Sequence, residues 1–153
     1  MSDLDQTDRR ILRELDSDAR MPVAMIAQRL GLARGTVQAR LDKLDAAGAL
    51  RLASTRITPQ ALGRPVAASV QVELDQHSIA EAIAALADIP EVLECFAPAG
   101  DTDLLLRVVA RDPDDLYRVS EEIRLCPGIR RTSTSLFLRT VIPYRVTGLL
   151  AEG

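Results

Sequence analysis

At 153 residues, with 47% hydrophobic and 27% charged positions, the chain reads as a packed, globular protein of one medium domain or two small ones, not a disordered one. No apolar run approaches the length of a bilayer span, so no membrane-spanning helix is expected. Two cysteines, Cys95 and Cys126, without metal-ligand spacing exclude a disulfide framework and a zinc site, and both are expected as buried free thiols.

The opening stretch MSDLDQTDRR lacks the apolar core of a signal peptide, so a cytoplasmic location is expected. The net charge of −3 is unevenly distributed: residues 1–62 carry 10 Lys/Arg against 8 Asp/Glu, and residues 63–153 carry 9 against 14. Within residues 25–56, six basic residues face two acidic ones, an asymmetry that suits phosphate contact by that segment.

In chain order, the first segment predicts three helices. Leu4, Ile11, Leu12 and Leu15 share one helical stripe, and Asp5, Thr7 and Asp8 suit its first turn. A second helix starts near Pro22, buries Val23, Ile26, Ala27 and Leu30, and stops at Gly31. The third runs from about Arg34 to Ala47 with Val37, Leu41 and Leu44 inward, and ends at Gly48. Two short helices joined by a tight glycine turn make a helix-turn-helix pattern. Its projected face would carry Arg34, Gly35, Thr36, Gln38, Ala39 and Lys43. Gly35 and Ala39 permit close approach to base edges; Arg34 suits guanine and Gln38 adenine. Arg40 lies on the flank, suited to phosphate or to intramolecular pairing. The plainer reading is an amphipathic helix pair of some other all-α protein.

Residues 49–65 predict a connector in which Leu50, Leu52 and Ile57 form a short strand, punctuated by Pro59, Gly63 and Pro65. Beyond it, strands and helices alternate. Residues 66–74 alternate apolar and polar, as a half-buried strand does. Ser78 and Glu81 predict a capping box for a helix that buries Ile79, Ile83 and Leu86 and stops at Pro90. Residues 91–98 form a second strand, 99–102 a turn and 104–110 a third strand. Asp112 and Pro113 open a helix that buries Leu116, Val119 and Ile123 and ends at Pro127-Gly128; a long fourth strand spans 129–141.

The expected class is therefore α+β: a three-helix, helix-turn-helix domain over 1–48, a hinge over 49–65, and a β-α-β-β-α-β ferredoxin-like domain over 66–153. Helices cover one face of such a sheet. Pairing with a second subunit is the direct way to cover the other, so a homodimer is expected.

Taken together, LDQTDRRILRELDSDAR, AQRLGLARGTVQARLDKLDAAGAL, ITPQALG, EVLECFAPAGDTDLLLRVV and CPGIRRTSTS resemble the Lrp/AsnC (feast/famine) family of transcriptional regulators. The resemblance spans roughly Leu4 to Val141. It implies binding of double-stranded DNA, no cofactor, and dimers that assemble into higher even-numbered rings. It also implies a small effector, commonly an amino acid, between dimers. The effector region maps onto Gly100, Asp101, Thr102 and Asp103 and onto the final strand from Ser133 through Thr134 and Ser135 to Phe137.

An amino acid needs an anion for its ammonium, which Asp101 or Asp103 supplies, and donors for its carboxylate. Turn N–H groups and the hydroxyls of Thr132, Ser133, Thr134 or Ser135 are candidates for the latter. Three positions depart from the family. Thr102 replaces a usual aromatic, Ala33 replaces a helix-capping Ser or Thr worth about 1 kcal/mol, and the linking strand lacks its usual Tyr.

Two other functions fit the same resemblance. One is a tetrapyrrole decarboxylase, which would need acid–base groups where this chain offers a single histidine, His77. The other is a low-specificity DNA-organising protein without an effector.

Overall fold

The computed structural model describes residues 4–75 and 77–151. They form two compact units: one combines residues up to Thr55 with those from Ile142 onward, and the other is Arg56–Val141.

The first unit holds α1 (Gln6–Ser17), α2 (Val23–Leu30) and α3 (Arg34–Ala46). Asp5 and Asp8 cap α1 reciprocally, each side chain accepting the other's backbone N–H. Ile11, Met21, Ile26, Ala27 and Val37 form the core, flanked by Leu15, Leu30 and Leu41. The C-terminal residues belong with these helices, whereas the sequence assigned all of 66–153 to the second domain. A short α6 (Thr147–Leu150) is held by α1. Arg9 donates to the Leu149 carbonyl at 2.6 Å, and Arg13 donates to the Leu150 carbonyl.

Among the described residues 49–65 no strand forms, contrary to expectation; two 3-10 turns, Ala53–Arg56 and Pro59–Leu62, replace it. The backbone N–H and hydroxyl of Thr55 both return to the Leu52 carbonyl, and Pro59 starts the second turn. Neither leaves an extended edge to pair.

The second unit is a four-stranded antiparallel sheet, β1 (Val66–Leu74), β2 (Val92–Phe96), β3 (Leu104–Ala110) and β4 (Ile129–Leu136), in the order β2-β3-β1-β4. Helices α4 (Ile79–Ala87) and α5 (Pro113–Arg124) complete the β-α-β-β-α-β order. Ala68, Val70, Val72 and Leu74 point to one face, as period-2 alternation requires, and meet Ala82, Leu86, Val119 and Ile123.

Four expectations for this unit need correction. On α4 the buried row is Ala82 and Leu86, with Ile89 just past its end, while Ile79 and Ile83 stay exposed. Ala82 and Leu86 stand four residues apart and share one helical row, and Ile79 and Ile83 fall to one side of it. Ser78 makes no capping bond, because its backbone is not extended. It instead packs on Gly128, where an added Cβ would lie 2.4 Å from the Ser78 Cβ and where φ is +76°. β4 ends at Leu136, not 141: after Phe137 donates to Ala67, the partner strand gives way to Pro65. Cys95 is exposed on the edge strand β2, not buried.

The buried acids of this unit are all paired. Asp115 accepts from the Arg111 backbone and side chain and from Arg118, and these bonds, Arg111's first, hold its carboxyl well below the usual range. Glu91 accepts from Arg118 at 2.9 Å and lies 3.6 Å from Arg64.

Candidate nucleic-acid interface and effector cleft

The turn between α2 and α3 depends on Gly31, whose φ of +67° lies in the left-handed region that other residues avoid. Its N–H and that of Leu32 close the α2 carbonyl end. The turn delivers α3 with Val37 and Leu44 inward. Arg34, Gly35, Thr36, Gln38, Ala39 and Lys43 are then exposed, as the sequence predicts. A Cβ at Gly35 would meet nothing within 4 Å, so packing within the unit does not require its small size. Ala33 leaves the helix start without a side-chain cap.

Two side chains on α3 are already engaged. Gln38 Nε2 donates to Asp42 Oδ1 at 2.8 Å. A carboxylate only accepts, so the amide nitrogen must face Asp42 and leave the carbonyl oxygen outward. Of the two roles open to Arg40, the structure shows intramolecular pairing: Nη1 lies 2.6 Å from Asp5 Oδ2 and 2.8 Å from Asp8 Oδ1. Arg40 therefore braces α3 against the start of α1.

The Arg40 hydrogen bond holds the Asp5 carboxyl below its ordinary value. A depressed carboxylate stabilises the fold above its unfolded value of about 3.9 and loses that contribution as pH falls through the folded value. Arg40→Met, which keeps the alkyl stem, is expected to lower helical-unit stability at neutral pH. The gap from wild type should close in acid. Thermal melts from pH 7 to pH 2 check this; a gap that persists at low pH would mean the stem, not the charge, is responsible.

At one end of the sheet, the register pairs Val72 with Leu104 and Leu74 with Ile129, bringing the β2–β3 turn beside the end of β1 and the start of β4. There an open cleft of about 450 Å³ is lined by Glu73, Leu74, Asp75, His77, Asp101, Asp103 and Arg130. Gly100 leads into it with φ +140°, and Thr102 is half-buried. Asp103 is structurally engaged: its Oδ2 accepts the Leu74 N–H at 2.7 Å, and its own N–H donates to the Val72 carbonyl. Asp75 accepts from the His77 backbone N–H and ring, and these bonds lower its pKa, with Arg130 adding to the effect.

The strand hydroxyls do not line this cleft. Alternation sends Thr132 and Thr134 to the helix side and Ser133 and Ser135 to the opposite face. Thr134 lies 3.2 Å from the Ser120 hydroxyl. Sequence reasoning missed Arg130, Asp75 and His77. The signal available was topological: in a ferredoxin-like order these residues occupy the same sheet end as the 100–103 turn.

A helix-turn-helix with an exposed, partly basic third helix, carried by a chain whose other unit is a ferredoxin-like sheet, defines a DNA-binding regulator. The AsnC-type helix-turn-helix domain matches residues 4–45 and the Lrp/AsnC ligand binding domain matches residues 67–147. The chain belongs to the Lrp/AsnC family of transcriptional regulators.

The proline dehydrogenase transcriptional activator of Rhodobacter capsulatus is 34% identical over 93% of this chain and 96% of its own length. The structure of E. coli AsnC superposes with a TM-score of 0.86 at 27% identity, over 95% of this chain and 99% of that one. A feast or famine regulatory protein from M. tuberculosis, complexed with L-methionine, gives 0.82 at 32% identity over 94% and 98%. These relatives are regulators by name, not enzymes. No helix among the described residues is long and apolar enough to cross a membrane.

Proposed function

We propose that this regulator reads double-stranded DNA in the cytoplasm with the N-terminal half of α3, and that a small amino acid bound at the 450 Å³ cleft modulates it. The observation that carries the DNA reading is the outward row Arg34, Gly35, Thr36, Gln38, Ala39 and Lys43, set over buried Val37 and Leu44. A helix offering a small residue and two polar readers near its start suits a major groove about 12 Å wide. Selection from random duplexes followed by footprinting tests it. Discrete protected sites are expected, whereas diffuse protection would favour the DNA-organising role.

The effector reading rests on charge placement. Asp101, which has no hydrogen-bond partner among the described residues, can take an ammonium, and Arg130 offers the fork that a carboxylate prefers. The methionine-bound mycobacterial relative supports an amino acid as ligand. Because Asp103 ties β3 to β1, Asp101→Ala and Arg130→Ala are the clean probes. Each removes a charge-assisted contact worth about 1.5–3 kcal/mol, so each is expected to weaken binding by roughly 10- to 150-fold in calorimetry. Unchanged affinity in both would move the ligand elsewhere, with Ser133 and Ser135 the next candidates.

The sheet face opposite α4 and α5 supports a homodimer, and through it a higher even-numbered ring. Phe96 pairs across to Leu105 on that face, and Gln71 of β1 stands between Leu105 and Ser133. Light scattering is expected to give an even subunit number; a monomer at micromolar concentration would overturn it.

A further inference from the structure

Arg9, Arg13 and Asp16 recur at helical spacing on the face of α1 away from buried Ile11, a pattern that ordinarily means a solvated stripe. Here all three are engaged by the chain's last residues. Arg9 and Arg13 donate to the carbonyls of Leu149 and Leu150, and Asp16 accepts the Thr147 hydroxyl at 3.0 Å. A fourth contact lies nearby: Arg51 donates to the Tyr144 hydroxyl at 2.9 Å, and its guanidinium sits 4.4 Å from that ring's centre. The same α1 is where Arg40 of α3 is anchored, through Asp5 and Asp8.

We propose that residues 142–151 are a positioning strap for DNA binding: they hold α1, and α1 through the Arg40 brace sets the pose of α3. The inference rests on the DNA reading above. The strap touches no base; it acts by limiting how far α1 can shift beneath the brace. A recognition face has to be held to a fraction of an ångström to keep its bonds in register.

The test uses the full chain, first with a variant that leaves the charge of the helices untouched. Tyr144→Leu with Thr147→Val removes two side-chain anchors from the strap side. Anisotropy titration on the selected duplex is expected to show specific affinity falling about tenfold, or about 1.4 kcal/mol, with the salt slope unchanged. Hydrogen exchange in α1 should rise in parallel. Arg9→Ala with Arg13→Ala should behave the same way.

Wild-type affinity and wild-type exchange in the Tyr144/Thr147 variant would overturn the proposal. So would weakening confined to the arginine variant with a shallower salt slope, since Arg9 and Arg13 would then be phosphate contacts. A variant that fails to fold is replaced by Thr147→Val alone, read by the same two measurements. If the wild type selects no sequence at all, the DNA reading fails, while exchange in α1 and α3 still decides whether the strap holds the helices.

Discussion

Leu106→Ala is expected to destabilise the sheet unit by about 2–5 kcal/mol, the range for emptying a packed leucine site. Leu106 is 1% exposed on the interior strand β3, with β1 and β2 on either side. It shares a cluster with Val70, Leu86, Val119 and Ile123, none of them more than 1% exposed. The strand on each side fixes the backbone by hydrogen bonds, so the site cannot collapse to fill the void. Urea unfolding followed by circular dichroism reads the midpoint shift at constant slope. A loss below about 1 kcal/mol would mean that α4 or α5 slides to refill the site.

Arg34→Ala is expected to lower affinity for the selected duplex by about 1–3 kcal/mol, roughly 5- to 150-fold, and to relax preference at one base position. Arg34 is the first residue of α3, exposed and followed by the small Gly35. A bidentate contact to guanine uses both arms of the guanidinium, which lysine cannot reproduce, so Arg34→Lys should recover little of the preference. Lys43 lies more than two turns further along and is expected to behave as a phosphate contact: its loss should weaken all sequences alike and reduce the salt slope by about one. Equal losses on specific and random DNA for Arg34→Ala would assign it to phosphate as well.

The helix-turn-helix was legible because each signal was local. Asp5 caps, Gly31 turns, and a short apolar stripe chooses the buried side of α3. The sheet order followed from alternation in β1 and β3. What escaped depended on tertiary packing. Ile79 and Ile83 fit a helical face as well as Ala82 and Leu86 do, and only packing within the folded unit decides between them. The end of β4 depends on where its partner strand begins, at Val66 just after Pro65. In the cleft, the acidic turn could be found from sequence, but Arg130 is remote from it in the chain and becomes its neighbour only through register. The run of four strand hydroxyls looked like one donor set; a strand's pleat splits it between two faces.

The Arg9 to Leu149 hydrogen bond spans 140 positions, and this has a consequence for synthesis. Closing so large a loop is slow, because the ordering entropy comes before any contact rewards it. On a ribosome delivering about 5–20 residues per second, the three helices emerge first and the whole of Arg56–Val141 follows before residue 142 exists. The sheet unit can therefore mature while the helical unit is still open along α1. The part made first is the part finished last, and a chain interrupted before Ile142 carries all of α3 but none of the residues that hold Arg9, Arg13 and Asp16.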